Sequence, residues 1–217
     1  MKNHEKSTLL IATNNQGKIE ELQQLLSDLN IELVTPSQIG LDLEVVEDGV
    51  TYAENAAKKA VAFAQASGLI SLADDTGLEV DTLDGAPGLY AKRFGSEENG
   101  GQELPDFDRR RYLVTKIQDK PRPWTARFRA TIAVAIPDNV TLNPVAANSL
   151  QLTEGACEGE IISEDRGTNG FGYDPIFLFP ELGKTMAELS MDEKNRLSHR
   201  ARAVMNAKDI LKEYIKS

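Results

Sequence analysis

The stretch Ser7–Asn30, STLLIATNNQGKIEELQQLLSDLN, decides the fold class. Ser7 to Thr13 is short and apolar and is stopped by the polar cluster Asn14, Asn15, Gln16 and Gly17, the pattern of a buried strand. From Lys18 to Asn30, Ile19, Leu22, Leu25, Leu26 and Leu29 fall on one helical face. Strand, polar loop and helix in that order bring helix N-terminal amides to whatever the loop faces.

Outward from this unit, Ile31 to Val34 reads as a second strand, and Thr51 to Ser67 as an alanine-rich helix stopped by Gly68. Leu69 to Ala73 is a short apolar strand ending in the pair Asp74 and Asp75, with a Gly- and Pro-rich loop from Asp84 to Gly88 beyond it. Pro105 to Asp119 has the form of a helix, with Phe107, Leu113 and Ile117 as packing residues. Thr125 to Ile136 alternates, so that Phe128, Ala130, Ile132, Val134 and Ile136 share a face, as in a half-buried strand. Leu150 to Ile161 adds one or two strands across a connection from Pro137 to Asn148, and Ile176 to Phe179 is short and apolar. Ser190 with Glu193 has the S-x-x-E form of a capping box, so a helix starts there. From Ser198 the chain continues helically to its end, with Val204, Ala207, Leu211 and Tyr214 spaced for packing. No repeat, low-complexity tract or linker divides the sequence. Residues 1–217 read as a single α/β domain with a mixed sheet.

Composition narrows the function. The chain has 217 residues, and 34 acidic against 24 basic side chains give a formal net charge of −10. A nucleic acid polymer or an anionic membrane face is therefore not expected as a partner, because such binding rests on clustered Lys and Arg. A small anion can still bind where local donors and a metal ion outweigh the global field. Cys157 is the sole cysteine, which excludes an intrachain disulfide and fits a reducing compartment. With one Cys and two His, His4 and His199, a Cys/His zinc site is excluded. Any metal is to be held by oxygen, which suits magnesium or manganese. The N-terminal MKNHEKSTLL lacks a secretory h-region, and the longest apolar stretch, Ala130 to Ile136, is too short to cross a bilayer. A soluble, cytoplasmic protein is expected.

Four segments carry chemistry-bearing residues, each with a plainer alternative. Thr13-Asn14-Asn15-Gln16-Gly17-Lys18 offers hydroxyl, amide, ammonium and backbone N–H donors suited to a phosphate; it is not a P-loop, and it could equally be a polar helix cap. Asp74-Asp75-Thr76-Gly77 places adjacent carboxylates where a cation would relieve their repulsion, one of them meeting the metal directly; the alternative is an acidic turn. Glu47 and Asp48 could add an oxygen ligand or form a solvated loop. Gly170-Phe171-Gly172-Tyr173-Asp174-Pro175 sets two aromatics about a glycine, for stacking on a nucleobase or for packing in the core. Lys194 and Ser198-His199-Arg200 put cations near a helix start, against the macrodipole. An anionic or carbonyl-bearing ligand would offset that cost, unless the face is an ordinary amphipathic surface.

Taken together, TNNQGK (Thr13 to Lys18), ENA (Glu54 to Ala56), ADDTGLEVDTLDGAPGLYAKRF (Ala73 to Phe94), GTNGFGYDPIF (Gly167 to Phe177) and AELSMDEKNRLSHRARA (Ala187 to Ala203) resemble the inosine triphosphate pyrophosphatase, or Ham1-like, family. They occur in the family's order and cover nearly the whole chain. The resemblance implies an elongated mixed β-sheet with flanking helices, in two lobes around a central cleft. It also implies a homodimer and hydrolysis of ITP, dITP and XTP to the monophosphate and pyrophosphate with Mg²⁺ or Mn²⁺.

By the same resemblance the triphosphate is held by the loop from Thr13 through Asn14, Asn15, Gln16 and Gly17 to Lys18. Asp75 is the general base and a metal contact, Glu47 a second metal contact, and Thr76, where many relatives carry Ser, lies beside the substrate. Phe171, Gly172, Tyr173 and Asp174 form the base pocket. Lys194, His199 and Arg200 contact the nucleotide from the far side and read the oxygen at purine position 6. The expected chemistry is in-line attack of water on the α-phosphorus. The rivals are a Maf-like pyrimidine nucleotide pyrophosphatase, which would need a different base pocket, and a nucleotide-binding module without turnover.

Overall fold

The computed structural model describes residues 7–137 and 150–214, so all but the first residue of the connection from Pro137 to Asn148 lies outside the described part. The strand order is β2-β1-β3-β5-β6-β7-β8 in an open mixed sheet, with β4 pairing with β3. These strands are β1 (Ser7–Ile11), β2 (Ile31–Val34), β3 (Ile70–Val80), β4 (Pro87–Gly88), β5 (Thr125–Ala135), β6 (Leu150–Ile161), β7 (Phe177–Phe179) and β8 (Lys184–Thr185). The helices among the described residues are α1 (Gln16–Leu25), α2 (Tyr52–Ser67), α3 (Asp106–Ile117), α4 (Met191–Leu197) and α5 (His199–Tyr214). The chain folds as two compact units. Unit 1 takes in Met1–Asp75, Ala130–Gly155 and Arg200–Ser217, and unit 2 takes in Thr76–Arg129 and Ala156–His199.

In unit 1, β1 runs parallel to both β2 and β3, with Leu9 opposite Leu33 and Ile70. Alternation along β1 sends Leu9 and Ile11 to one face and Leu10 to the other. Leu9 and Ile11 pack with Ile19, Leu22, Leu25 and Leu26 of α1 and Val204, Ala207 and Leu211 of α5. Leu10 packs with Ala56, Ala60, Phe63 and Ala64 of α2. Covering both faces explains a difference from the alternation in β5, which reads as half-buried: every residue from Ala130 to Ala135 is buried. Ile132 and Val134 face α1 and α5, while Ala133 and Ala135 give α2 the short side chains that let it approach closely. Helix α2 is bounded by Thr51, whose side chain accepts from Glu54 N, and by Gly68 at φ +69°, a left-handed C-cap that suits glycine.

Unit 2 is built on Leu78 and Val80 of β3, Phe128 of β5, Cys157 and Ile161 of β6, Phe177 of β7, and Leu113 and Ile117 of α3. Here one packing residue expected from the sequence proves to be misplaced. Phe107 is 57% exposed, because the buried stripe of α3 runs Arg109, Leu113, Ile117 at a spacing of four, and Phe107 lies off it. Three further boundaries differ. Helix α1 begins at Gln16 and ends at Leu25, so that Leu29 lies beyond it. Strand β3 does not end at Asp74 and Asp75 but carries both within its run. The final helical region is two helices, split at Ser198, which is extended at φ −71°, ψ 156°. The capping box at Ser190 and Glu193 is present as expected.

The two faces of α3 give a direct check. Ile117→Ala, at a fully buried position, is expected to lower unfolding stability by about 2–5 kcal/mol. Phe107→Ala should cost less than about 1 kcal/mol. Urea denaturation followed by circular dichroism reads both.

Candidate active site

The loop after β1 is fixed at both ends. Ala12 N donates to Leu72 O at 2.8 Å. Asn15 caps α1, its side-chain oxygen accepting from Lys18 N at 3.1 Å, while its own N donates to Thr13 Oγ1 at 3.1 Å. The Asn15 side chain is thus the helix cap. Asn14 and Gln16 are exposed, and Gln16 donates to Glu20 at 2.9 Å. Thr13, Gly17 and Lys18 are partly buried.

Within unit 1 the loop meets a group of lysines and carboxylates. Lys18 Nζ donates to Asp74 O at 3.2 Å and lies 3.4 Å from Asp74 Oδ1. Lys59, on α2, donates to the same Asp74 carbonyl at 2.9 Å and to Glu47 Oε2 at 3.1 Å, and its ammonium lies 3.7 Å from Asp75 Oδ1. Burial pulls the Lys18 pKa below its usual value; Asp74 opposes this, and the positive charges of Lys59 and Arg200 add to it. The Glu47-Asp48-Gly49 loop is tied to α2, with Gly49 N donating to Asn55 Oδ1 at 2.8 Å and Val50 N to Glu54 Oε2 at 2.9 Å. A Cβ at Gly49 would come within 2.6 Å of Asn55 Oδ1, so the close approach needs glycine.

Asp74 and Asp75 follow one another in β3, and their side chains leave on opposite faces. Asp74 is bound by Arg200, whose Nε donates to Asp74 Oδ2 and whose Nη1 donates to Glu21 Oε2, all three side chains being buried. Against the cost of burial, those two carboxylates hold the Arg200 guanidinium firmly charged. The cation beside the start of α5 is therefore offset by the carboxylates of Asp74 and Glu21.

Asp75 is different. It is 8% exposed, and its Oδ2 is buried without a hydrogen-bond partner among the described residues. Burial raises its pKa; Lys59 and Lys18 oppose that, Glu47 adds to it, and a side-chain hydrogen bond with Asn55 lowers it. A buried carboxylate oxygen with nothing to accept from is costly, and such a position normally has a ligand to explain it. Lys59 and Glu21 are the members of this group that the sequence did not reveal, and Asn55 stood within the ENA segment without a role. Asn55 and Lys59, four apart in an alanine-rich helix, were the available signal.

Unit 2 holds the remaining residues. Gly170, at φ +75°, lies so close to Asp174 that a Cβ there would come within 2.0 Å of Oδ2. The same Asp174 oxygen accepts from Phe171 N at 3.0 Å and from Lys194 Nζ at 2.5 Å, with the ion pair buried. The Lys194 ammonium also sits 5.2 Å from the centre of the Phe171 ring. Gly172 is held by Asp106, which accepts from its N at 2.7 Å, and by Arg110, which donates to its O at 2.8 Å.

The two aromatics of the segment part company. The Tyr173 ring is a core side chain, 4% exposed, with its hydroxyl donating to Ala91 O at 2.8 Å. Stacking by Tyr173 is thus replaced by packing, and Phe171 is the partly buried aromatic of the segment. Thr76 is partly buried in β3, and His199 is 3% exposed at the start of α5.

These observations define a mixed α/β protein that gathers lysines and carboxylates behind a capped polar loop. The Ham1 family model matches residues 9–210. The chain is 43% identical over 204 residues to a dITP/XTP pyrophosphatase of Desulforamulus reducens, covering 94% of each chain. It is 40% identical over 202 residues to the dITP/XTP pyrophosphatase of Bacillus subtilis, covering 93% of this chain and 96% of that one. Its fold matches the Staphylococcus aureus Ham1 protein at a TM-score of 0.78 and 35% identity, over 95% of this chain and 99% of that one. A HAM1 protein from Coxiella burnetii matches at a TM-score of 0.79 over the same shares. The chain belongs to the Ham1 family.

Arg200→Met would remove the cation from two buried carboxylates. It is expected to lower stability by about 3–5 kcal/mol, the usual cost of breaking a buried ion pair from one side. The shift in the urea unfolding midpoint measures it.

Proposed function

We propose that the chain hydrolyses ITP, dITP and XTP to the nucleoside monophosphate and pyrophosphate, and so removes non-canonical purines from the nucleotide pool. The observation that carries this reading is Asp75 Oδ2: a buried carboxylate oxygen, beside Lys59 and near Lys18, with no partner of its own among the described residues. The dITP/XTP pyrophosphatases to which the chain is similar supply the substrate class.

A divalent ion fits these residues. Around Lys18, Lys59 and Arg200 stand four carboxylates, those of Glu21, Glu47, Asp74 and Asp75, so the group leans negative and would repel a triphosphate by itself. Asp75, with Glu47 as second ligand, would hold the ion. Among the described residues no group of three or more His, Cys, Asp and Glu side chains is arranged to cage a metal. Mg²⁺ is commonly bound by one or two carboxylates and completed by water and substrate phosphates; Mn²⁺ would serve with the same oxygen donors. When bound, the ion neutralises charge on the phosphate oxygens.

The remaining steps belong to side chains. Thr13, Asn14, Gln16, Gly17 and the backbone amides at the start of α1 receive the phosphates, with Asn15 keeping the loop in shape as the cap. Lys18 balances charge developing on the pyrophosphate as it leaves. Asp75 orients the attacking water and accepts its proton. Arg200 and Glu21 keep Asp74 fixed, so that the main-chain carbonyl holding both lysines does not move. Thr76 lies beside the substrate. Phe171, Gly172 and the Asp174–Lys194 pair give the base its platform, Tyr173 supporting it from the core. Because the Arg200 guanidinium is engaged by two carboxylates, His199 is assigned the donor that meets the oxygen at purine position 6. The protein acts in the cytoplasm as a homodimer, as its family resemblance implies.

Pyrophosphate release should be fast from ITP, dITP and XTP, slow from ATP and dTTP, and abolished by EDTA. Asp75→Asn should lose at least about 10²-fold in kcat while still binding ITP, the scale of loss when general-base assistance is removed. Release mainly from dTTP or UTP would favour a pyrimidine pyrophosphatase of the Maf-like kind. Binding of ITP without release would leave a nucleotide-binding module.

A further inference from the structure

We propose that Cys157 is a positioning residue for His199: its thiol sets the imidazole in the tautomer that carries its proton on Nε2, so that the ring offers a donor. Both side chains are buried in unit 2, Cys157 at 1% and His199 at 3% exposure. Cys157 Sγ lies 3.8 Å from His199 Nδ1, within the range of a sulfur hydrogen bond. Phe128 stacks on the imidazole, with ring centres 4.7 Å apart and planes 13° from parallel. Phe128 is held in turn by Phe177 at 4.8 Å. Phe177 has little room to retreat, since a Cβ on Gly159 would come within 2.6 Å of its ring.

The stack fixes the plane of the imidazole but does not distinguish its two edges. The sulfur does. A thiol is a weak donor and a weak acceptor, whereas an unprotonated imidazole nitrogen is a good acceptor, so S–H to Nδ1 is the better pairing. With Nδ1 accepting, the proton of the neutral ring resides on Nε2. Transfer of the thiol proton to the ring would leave Nε2 protonated as well. The remaining arrangement, with Nδ1–H facing sulfur, would make Nε2 an acceptor.

The tautomer sets what the ring can read. A 6-oxo purine presents an acceptor at the position where adenine presents an amino donor. Nε2–H pairs with the first and opposes the second, and a mismatched donor at a polar site is discriminated against strongly. This consequence for selectivity rests on the substrate reading given above; the tautomer itself does not.

Two-bond ¹H–¹⁵N correlation spectra of the whole protein distinguish the tautomers. The chain has two histidines, and the His199 signals are assigned by their loss in His199→Asn. In the native protein and in Cys157→Ser, which keeps a donor, His199 should carry its proton on Nε2 with Nδ1 bare. In Cys157→Ala it should become a mixture. The ratio of kcat/KM for ITP to that for ATP should fall about twofold or more in Cys157→Ala, in proportion to the share of rings that lose the Nε2 proton, and recover in large part in Cys157→Ser.

A merely structural role would lower both substrates together and leave the ratio unchanged. A proton on Nδ1 in the native protein, or an unaltered tautomer in Cys157→Ala, would overturn the proposal. If native protein released no pyrophosphate from 6-oxo purine triphosphates, the substrate reading would fall, and the spectra would still decide the part played by Cys157.

Discussion

Two aspartates side by side in the middle of a strand are the constraint from which the rest of unit 1 follows. In β3 the alternation of side chains separates Asp74 from Asp75, so each carboxylate needs its own answer to burial. Asp74 is answered entirely by the protein: Arg200 and Lys18 approach its carboxylate, and Lys18 and Lys59 bond its carbonyl. Asp75 is answered only in part, by Lys59 and Asn55 on its Oδ1 side. One strand thus supplies, from neighbouring residues, a rigid anchor and the carboxylate to which the proposed function gives the water. The anchor limits the motion of the reactive group, because both hang from the same hydrogen-bonded stretch of backbone.

The closed network around Asp74 also explains why the charges of unit 1 are tolerable. A buried carboxylate is expensive, and a buried guanidinium equally so. Arg200 meets two carboxylates, Asp74 and Glu21, with separate nitrogens of its planar fork, a geometry that a lysine could not reproduce. Glu21 sits on α1, Asp74 on β3 and Arg200 on α5, so the network stitches together three elements whose apolar faces already pack in one core. Hydrophobic burial holds these elements together, and the ion network fixes the register between them.

What the sequence disclosed, and what it did not, follows from how far each signal reaches. Local periodicity sufficed for β1, the existence of the helix after it, the cap at Ser190, and the apolar stripe of β5, because each is written within a dozen neighbouring residues. It failed where the deciding partner is distant. The two-sided burial of β5 depends on α2 lying over Ala133 and Ala135. The ion pair of Arg200 with Glu21 could not be read, because the two stand 179 residues apart. Asn55 and Lys59 are inconspicuous among alanines until β3 places Asp75 beside them. Tyr173 and Phe171, two residues apart, are alike as sequence; only the fold sends one ring to the core. The site segments were legible through the family resemblance of their motifs, whereas the division of labour within them was not.

On the proposed function, that division would let one protein bind a highly charged triphosphate and still distinguish bases by a single oxygen. Phosphate affinity is a matter of charge and survives small displacements, because Coulombic attraction falls off slowly with distance. Reading one carbonyl is a matter of hydrogen-bond direction and fails with a small rotation. The residues assigned to the two tasks differ accordingly. Lys18 and Lys59 share the Asp74 carbonyl, while Gly170 packs against Asp174 with no space for a methyl group, and Lys194 is pinned by that same carboxylate. His199 is set between Phe128 and Cys157. Unit 1 thus gathers charge on a fixed strand, and unit 2 adds rigid aromatic and glycine-dependent packing.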